Sequence, residues 1–135
     1  MPSPLSEPGP TGSTAQVAEL SVPSVPRSVA SVRRFARRAC GGLAPSTADT
    51  VELLVSEIAT NALVHGAGEV RVRVNVVDGT VRVEVDDDGT ALPQLRAAST
   101  TAEGGRGLAL VQAMSGGWGV APRAGGKTVW FEVCG

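Results

Sequence analysis

The sequence predicts an α+β fold, a two-layer sandwich with helices packed on one face of a mostly antiparallel sheet. Three observations predict it. Apolar residues recur at three- and four-residue steps in two segments before residue 66, which indicates two amphipathic helices. Valines then alternate with polar residues on both sides of Asp78-Gly79, which indicates a β-hairpin. A further short helix and a second hairpin follow.

Length, charge and cysteine usage narrow the class of protein. The chain has 135 residues and 42% hydrophobic residues, which fits one packed domain and excludes global disorder. The 12 basic and 13 acidic residues leave a net charge of −1. That balance gives no electrostatic reason to expect nucleic acid or a membrane as partner. Cys40 and Cys134 form no metal or disulfide pattern, so we expect a cytoplasmic protein with reduced thiols.

The N-terminal segment differs in composition from the rest. Residues 1–15 are rich in Pro, Ser and Gly and predict a disordered tail without a secretory signal. Residues 16–135 then form the predicted single domain. Its first element is a short apolar stretch that indicates an edge strand, carried by Val17, Leu20 and Val22.

Two helices come next. The first is predicted from Ser28 to Cys40, with Ser28 as its N-cap, and the second from Ser46 to about His65. Ser46 and Asp49 resemble a capping box at the start of the second helix. The polar face of the first helix is either a solvated face or a partner-binding face. It carries Arg33, Arg34, Arg37 and Arg38.

The remaining elements alternate strands, a long loop and a short helix. Strands are predicted over 70–76 and 81–85, joined by a type I′ turn. Residues 86–105 have no clear period and predict a long loop, a feature that is usually functional. A helix over 107–114 and strands over 118–121 and 127–133 complete the outline. Three apolar side chains of the short helix are expected to face the core, those of Leu108, Val111 and Met114.

The second helix carries a row of polar residues at its apolar border. Glu57, Asn61 and His65 are four residues apart and therefore lie in one stripe. Their side chains include the hard oxygens that Mg²⁺ prefers, and Mg²⁺ is commonly held by one or two protein oxygens plus substrate phosphates. The stripe is either such a site or an ordinary polar flank, with His65 interacting with the helix dipole.

Two further motifs flank the predicted loop. Asp87-Asp88-Gly89 ends a strand and is either a turn or a buried carboxylate that accepts a hydrogen bond from a ligand amino group. Gly104-Gly105-Arg106-Gly107 leads into a helix, where backbone N–H groups and the helix dipole favour a phosphate.

The last motif lies near the end of the printed sequence. Ala121 with Gly126-Lys127-Thr128 comes close to a P-loop pattern, but a strand follows where a P-loop needs a helix. We therefore exclude a P-loop. The segment is either a hairpin turn or a place where the Thr128 side chain points into a nucleotide pocket.

Together and in this order, the four motifs make the chain resemble a known family. It closely resembles the Bergerat-fold ATP-binding domain shared by histidine kinases, gyrase B, Hsp90 and mismatch-repair ATPases. Within that group it is most similar to the small bacterial anti-sigma factors with serine kinase activity. The resemblance covers about residues 16–134. It rests on segments 55–66, 105–111, 118–119 and 126–130.

The resemblance implies a role for each motif residue. Asn61 would ligate Mg²⁺, and Glu57 would be the catalytic general base. Asp87 would accept the adenine amino group, Gly89 would let the base approach closely, and Thr128 would support the adenine end. Residues 90–103 would form a lid. The phosphates of ATP would be held at Gly105, Arg106, Gly107 and Leu108.

The resemblance also implies a function and leaves alternatives open. It implies a serine/threonine-protein kinase and anti-sigma factor that binds a sigma factor, phosphorylates an anti-anti-sigma partner and allows a homodimer. One alternative is a non-catalytic nucleotide-dependent switch, since Ala91 replaces a glycine that many relatives have there. Another is a detached histidine-kinase catalytic domain.

Overall fold

A computed structural model describes residues 15–65, 68–89 and 107–134. This part of the chain forms five strands and three helices, as predicted for an α+β fold. In chain order they are β1 (Ala15–Pro23), α1 (Ser28–Ala39), α2 (Pro45–His65), β2 (Glu69–Val77), β3 (Thr80–Asp87), α3 (Gly107–Met114), β4 (Gly117–Arg123) and β5 (Gly126–Cys134).

The strands form one antiparallel sheet in the order β1-β2-β3-β5-β4. The predicted edge position of β1 is confirmed, and β4 forms the other edge. β5 pairs with β3 and so places the last strand of the described chain in the interior of the sheet. Because β3 and β5 are neighbours, the ends of these two strands meet at one corner, where Asp87 pairs with Lys127.

The two faces of the sheet differ in polarity. Alternate residues of β2, β3 and β5 are buried against the helices, so the predicted two-layer arrangement is confirmed. Phe131 and Leu54 are the largest fully buried side chains of this core. The other face carries ion pairs such as Arg82 to Glu132 at 2.9 Å, and the Arg82 guanidinium also lies 4.2 Å from the ring centre of Trp130.

The turn between β2 and β3 has the predicted geometry. Asp78 and Gly79 both have positive φ, at 51° and 81°. A type I′ turn needs this conformation at both central residues, which is why an Asp-Gly pair is favoured there. The turn fixes the register of the hairpin and therefore the side of the sheet on which Asp87 lies.

α1 begins at Ser28 as predicted, but the N-terminal capping of both helices differs from the prediction. Arg27, not Ser28, is the N-cap of α1, and the Ser28 hydroxyl donates instead to the Pro23 carbonyl at 2.8 Å. α2 begins at Pro45, so Ser46 lies within the first turn and the predicted capping box is wrong. Proline suits a first helical position because its φ is already helical and its missing N–H would have no partner there.

The basic face of α1 is exposed, and part of it pairs with α2. Arg37 donates to both Asp49 and Glu52, and Arg33 lies 3.7 Å from Glu52. Exposed pairs of this kind contribute little to stability, because water screens the attraction. A solvated face thus accounts for these two arginines, while partner binding by this face stays a hypothesis.

The region after the first hairpin corrects the loop prediction at its beginning. Asp86 and Asp87 belong to β3, because both pair with residues of β5. The helix over 107–114 is confirmed, with Val111 fully buried, whereas Met114 is 42% exposed and its predicted inward position is wrong. The segments 1–14 and 90–106 lie outside the described residues, as does the side chain of Leu108. No helix among the described residues is long and apolar enough to span a membrane.

Candidate functional site

Asp87 is the centre of the candidate site. It is the last residue of β3, shares the helix side of the sheet with Val83 and Val85, and is fully buried. One carboxylate oxygen, Oδ1, accepts hydrogen bonds from the Gly89 N–H at 2.8 Å and from the Lys127 ammonium at 3.0 Å. A buried charge of this kind is retained only with such partners.

The second oxygen of Asp87 has a different environment. Oδ2 is buried and has no hydrogen-bond partner within the described residues. Leaving a buried acceptor unpaired costs about 1–3 kcal/mol, and more when the group is charged. Such a group in a native fold is usually completed by something else. A ligand that brings an amino group to Oδ2, as the adenine base does, fits this position.

Close backbone approach holds the end of β3 in place. A Cβ on Gly126 would lie 2.1 Å from the Asp87 carbonyl oxygen, so only glycine lets β5 run this close to β3. The same carbonyl oxygen accepts a hydrogen bond from the Arg123 guanidinium at 2.9 Å. The carboxylate is therefore presented by a fixed strand end.

Lys127 is a residue of this site that the sequence reasoning missed. It is 5% exposed and lies directly across from Asp87 on the same face. The alternation of β5 could have indicated it. Lys127 is two and four residues from Val129 and Phe131, so it lies on the same face as these buried side chains. The resemblance drew attention to Thr128 instead.

Thr128 faces the opposite side of the sheet. Its hydroxyl donates to Asp86 Oδ1 at 2.6 Å, and Arg73 donates to both oxygens of Asp86, at 2.8 and 3.0 Å. Because neighbouring strand residues point to opposite faces, Thr128 cannot lie beside Asp87. The prediction that Thr128 points into a nucleotide pocket and supports the adenine end does not fit this placement.

The polar network on that opposite face shifts the acidity of Asp86. Burial would raise the pKa of Asp86, but the hydrogen bonds from Arg73 and Thr128 outweigh it and hold that pKa below its usual value near 3.8. Asp86 therefore stays ionised and is occupied by structural bonds. This leaves Asp87 as the carboxylate that is available to a ligand.

Glu57 and Asn61 lie on α2, half-buried and one helical turn apart. α2 packs against β3 and β5, the strands that carry Asp87 and Lys127. No hydrogen bond joins Glu57 or Asn61 to another side chain in the described ranges. Within those ranges no three His, Cys, Asp or Glu side chains cluster as a metal site. One amide and one carboxylate suit Mg²⁺ when phosphates supply other oxygens.

The predicted phosphate-binding segment is described only at its end. Gly105 and Arg106 lie outside the described residues, and Gly107 and Leu108 begin α3. α3 packs against α2, the helix of Glu57 and Asn61. The N-terminus of a helix is suited to anions, so the expectation for this segment stays a prediction.

The chain belongs to the histidine kinase-like ATPase domain family. The family model matches residues 22–133, which is most of the chain and includes every predicted site residue. The α+β fold of the described residues is the fold of this class of protein. Comparison with curated proteins gave no match.

Solved structures share the same fold. The structure of the RsbU and RsbW domains of Rv1364c from Mycobacterium tuberculosis aligns with 88% of this chain and 32% of that one, at 21% identity and a TM-score of 0.68. A blue-light activated histidine kinase from Erythrobacter litoralis aligns with 67% of this chain and 31% of its own, at 32% identity and a TM-score of 0.53. The chain thus spans about a third of the length of each.

The Asp86 network predicts an acid-dependent contribution to stability. Because the folded-state pKa of Asp86 is lowered, its contribution is complete above its ordinary value near 3.8 and is lost as pH falls through the folded value. Thr128→Val should lower the free energy of unfolding by about 1 kcal/mol near neutral pH and by less at about pH 3. Urea denaturation at both pH values measures this.

Thr80→Val is the matched control for that experiment. Thr80 is on the same face, at the other end of β3, and donates no side-chain hydrogen bond within the described residues. It should show no pH-dependent difference from wild type. A Thr128→Val effect of equal size at both pH values would contradict a role for Asp86 ionisation.

Proposed function

We propose that the chain is an ATP-dependent serine/threonine-protein kinase that acts as an anti-sigma factor in the cytoplasm. The family supplies the kinase-like ATPase domain. The single observation that carries the nucleotide assignment is the buried Asp87 carboxylate, whose Oδ2 has no partner among the described residues. An exocyclic amino group completes it, and ATP carries such a group.

Each residue has one task in this proposal. Asp87 accepts the adenine amino group, and Gly89 lets the base approach. Asn61 holds Mg²⁺, which when bound neutralises charge on the phosphates. Glu57 accepts the proton of the attacking hydroxyl. Phosphoryl transfer needs mainly such positioning and charge neutralisation.

The partners follow from the type of relative. The Mycobacterium tuberculosis structure holds RsbU and RsbW domains in one protein, and its likeness to this chain supports the fold. Together with the motifs, this favours a regulator that binds a sigma factor and phosphorylates an anti-anti-sigma protein. The hydroxyl acceptor would then be a Ser or Thr of that protein, and a homodimer is the proposed assembly.

Two observations favour other functions of the same fold. The identity of 32% to a blue-light activated histidine kinase favours a detached catalytic domain that acts on a partner's histidine. Lys127 donates a hydrogen bond to the Asp87 carboxylate, so this carboxylate is not left wholly to a ligand. This difference favours a switch that binds nucleotide without transferring phosphate. Acid treatment of the product separates the kinases, because phosphoserine survives it and phosphohistidine does not.

Replacement of the metal ligand tests nucleotide binding. Asn61→Ala should weaken Mg²⁺-dependent ATP binding by at least about tenfold, because it removes the proposed protein oxygen on Mg²⁺. Calorimetric titration of ATP with and without Mg²⁺ measures it. Asn75→Ala, which changes the only other asparagine, is the control and should bind as wild type. Equal affinity of Asn61→Ala and wild type would refute the ligand assignment.

Replacement of the general base tests phosphotransfer. Glu57→Ala should lower the transfer rate from ATP to a candidate anti-anti-sigma protein by about 10²–10⁴-fold, with ATP affinity unchanged. Labelled ATP and acid-stable product measure transfer. Glu52→Ala on the same helix is the control, because Glu52 bonds to Arg37 on the other side of α2. Undiminished transfer by Glu57→Ala would show that Glu57 is not the base.

A further inference from the structure

Lys127 places a positive charge beside Asp87 in the proposed nucleotide site. Its side chain is 6% exposed and that of Asp87 is 1% exposed, and their Nζ and Oδ1 atoms are 3.0 Å apart. Removing two charges from water is costly, and their attraction repays the cost only with good geometry and further hydrogen bonds. A lysine that is this deeply buried therefore needs a role other than carrying charge at the surface.

The hydrogen-bonding capacity of the pair is incompletely used. An ammonium has three N–H donors, and the described residues give Lys127 one acceptor, Asp87 Oδ1. Asp87 Oδ2 is buried and accepts nothing among those residues. The strand pair thus places a spare acceptor and spare donors side by side on the helix face of the sheet.

This arrangement is complementary to one edge of adenine. On that edge the N6 amino group is a donor, and the neighbouring ring nitrogen N1 is an acceptor. We propose that Lys127 is a second base-reading residue, donating to N1 while Asp87 Oδ2 accepts from the N6 amino group. This inference rests on the proposed nucleotide function and adds the residue that makes the site selective for a 6-aminopurine.

The same pair disfavours a base with the opposite pattern. Guanine and hypoxanthine carry a carbonyl oxygen at position 6 and an N–H at position 1. In the adenine pose they would set the carbonyl against Asp87 Oδ2 and the N–H against the ammonium. Unpaired polar groups of this kind in a buried site account for strong discrimination. Lys127 would therefore reject these bases at N1, in addition to their rejection by Asp87 at position 6.

The first test needs no variant. Calorimetric titration with ATP is compared with 1-deaza-ATP, in which a C–H replaces N1 and the amino group is kept. Wild type should bind 1-deaza-ATP roughly ten- to a hundredfold more weakly, because a hydrogen bond from a charged donor is lost. Equal affinity for the two would overturn the role of Lys127 and leave the nucleotide proposal standing. No binding of ATP itself would overturn both.

Variants then assign the effect to Lys127. Lys127→Thr and Lys127→Met should each abolish the difference between ATP and 1-deaza-ATP and narrow the preference for ATP over inosine triphosphate. If Lys127→Thr binds ATP more tightly than wild type, the lysine blocks the site and does not read the base. Tighter binding of GTP than of ATP to wild type would also overturn the proposal.

A spectroscopic readout keeps the test valid if the variants fold poorly. Lys127 is the only lysine in the sequence, so isotope labelling of lysine gives one side-chain ammonium signal. ATP should shift that signal much more than 1-deaza-ATP does, when both are added to saturation. Equal shifts with the two ligands would contradict a bond from Lys127 to N1.

Discussion

The arrangement of this site depends on a carboxylate buried at the end of a central strand. Two hydrogen bonds satisfy the Oδ1 oxygen of Asp87, one from the Gly89 N–H and one from the Lys127 ammonium. The other oxygen is left without a partner in the described part of the chain. A fixed acceptor whose desolvation has already occurred on folding can select a ligand strongly.

The sheet order places this acceptor at the end of a strand that is paired on both sides. β3 lies between β2 and β5, and β5 is covered in turn by β4, so the strand end that carries Asp87 is in the interior of the sheet. Gly126 allows the two backbones to approach where any side chain would clash with the Asp87 carbonyl. α2 lies over these strands and carries Glu57 and Asn61. In the proposed function, base recognition by Asp87 and phosphate chemistry at α2 would therefore belong to two different layers of the fold.

Much of the fold was predictable, because each element has a strong local signal. The valine alternation and the Asp-Gly turn determine the first hairpin, and the short helix begins at Gly107 as predicted. The N-terminal capping of the helices was less predictable. Ser28 and Ser46 have the chemistry of N-caps, but the Ser28 hydroxyl finds a better partner in the Pro23 carbonyl and Pro45 begins α2.

The site was predictable only in part, because the face to which a strand side chain points depends on how the strands pair. Asp87 was identified from its motif, and its burial is consistent with a ligand role. Thr128 was expected at the base, yet the pairing of Asp86 with Thr128 turns both to the other face and brings in Lys127. A motif gives the order of residues along the chain, whereas the register between β3 and β5 decides which side chain lies beside Asp87 on the helix side of the sheet.

The most direct test of the account is ATP binding by an Asp87→Asn variant, measured by calorimetry beside Asp88→Asn. Asp88 is exposed and lies next in the chain, where Arg71 and Arg123 pair with it. Asp87→Asn should weaken ATP binding by at least about tenfold, and Asp88→Asn should leave it unchanged. Wild-type affinity in Asp87→Asn, or a greater loss in Asp88→Asn, would contradict the assignment of the site to Asp87.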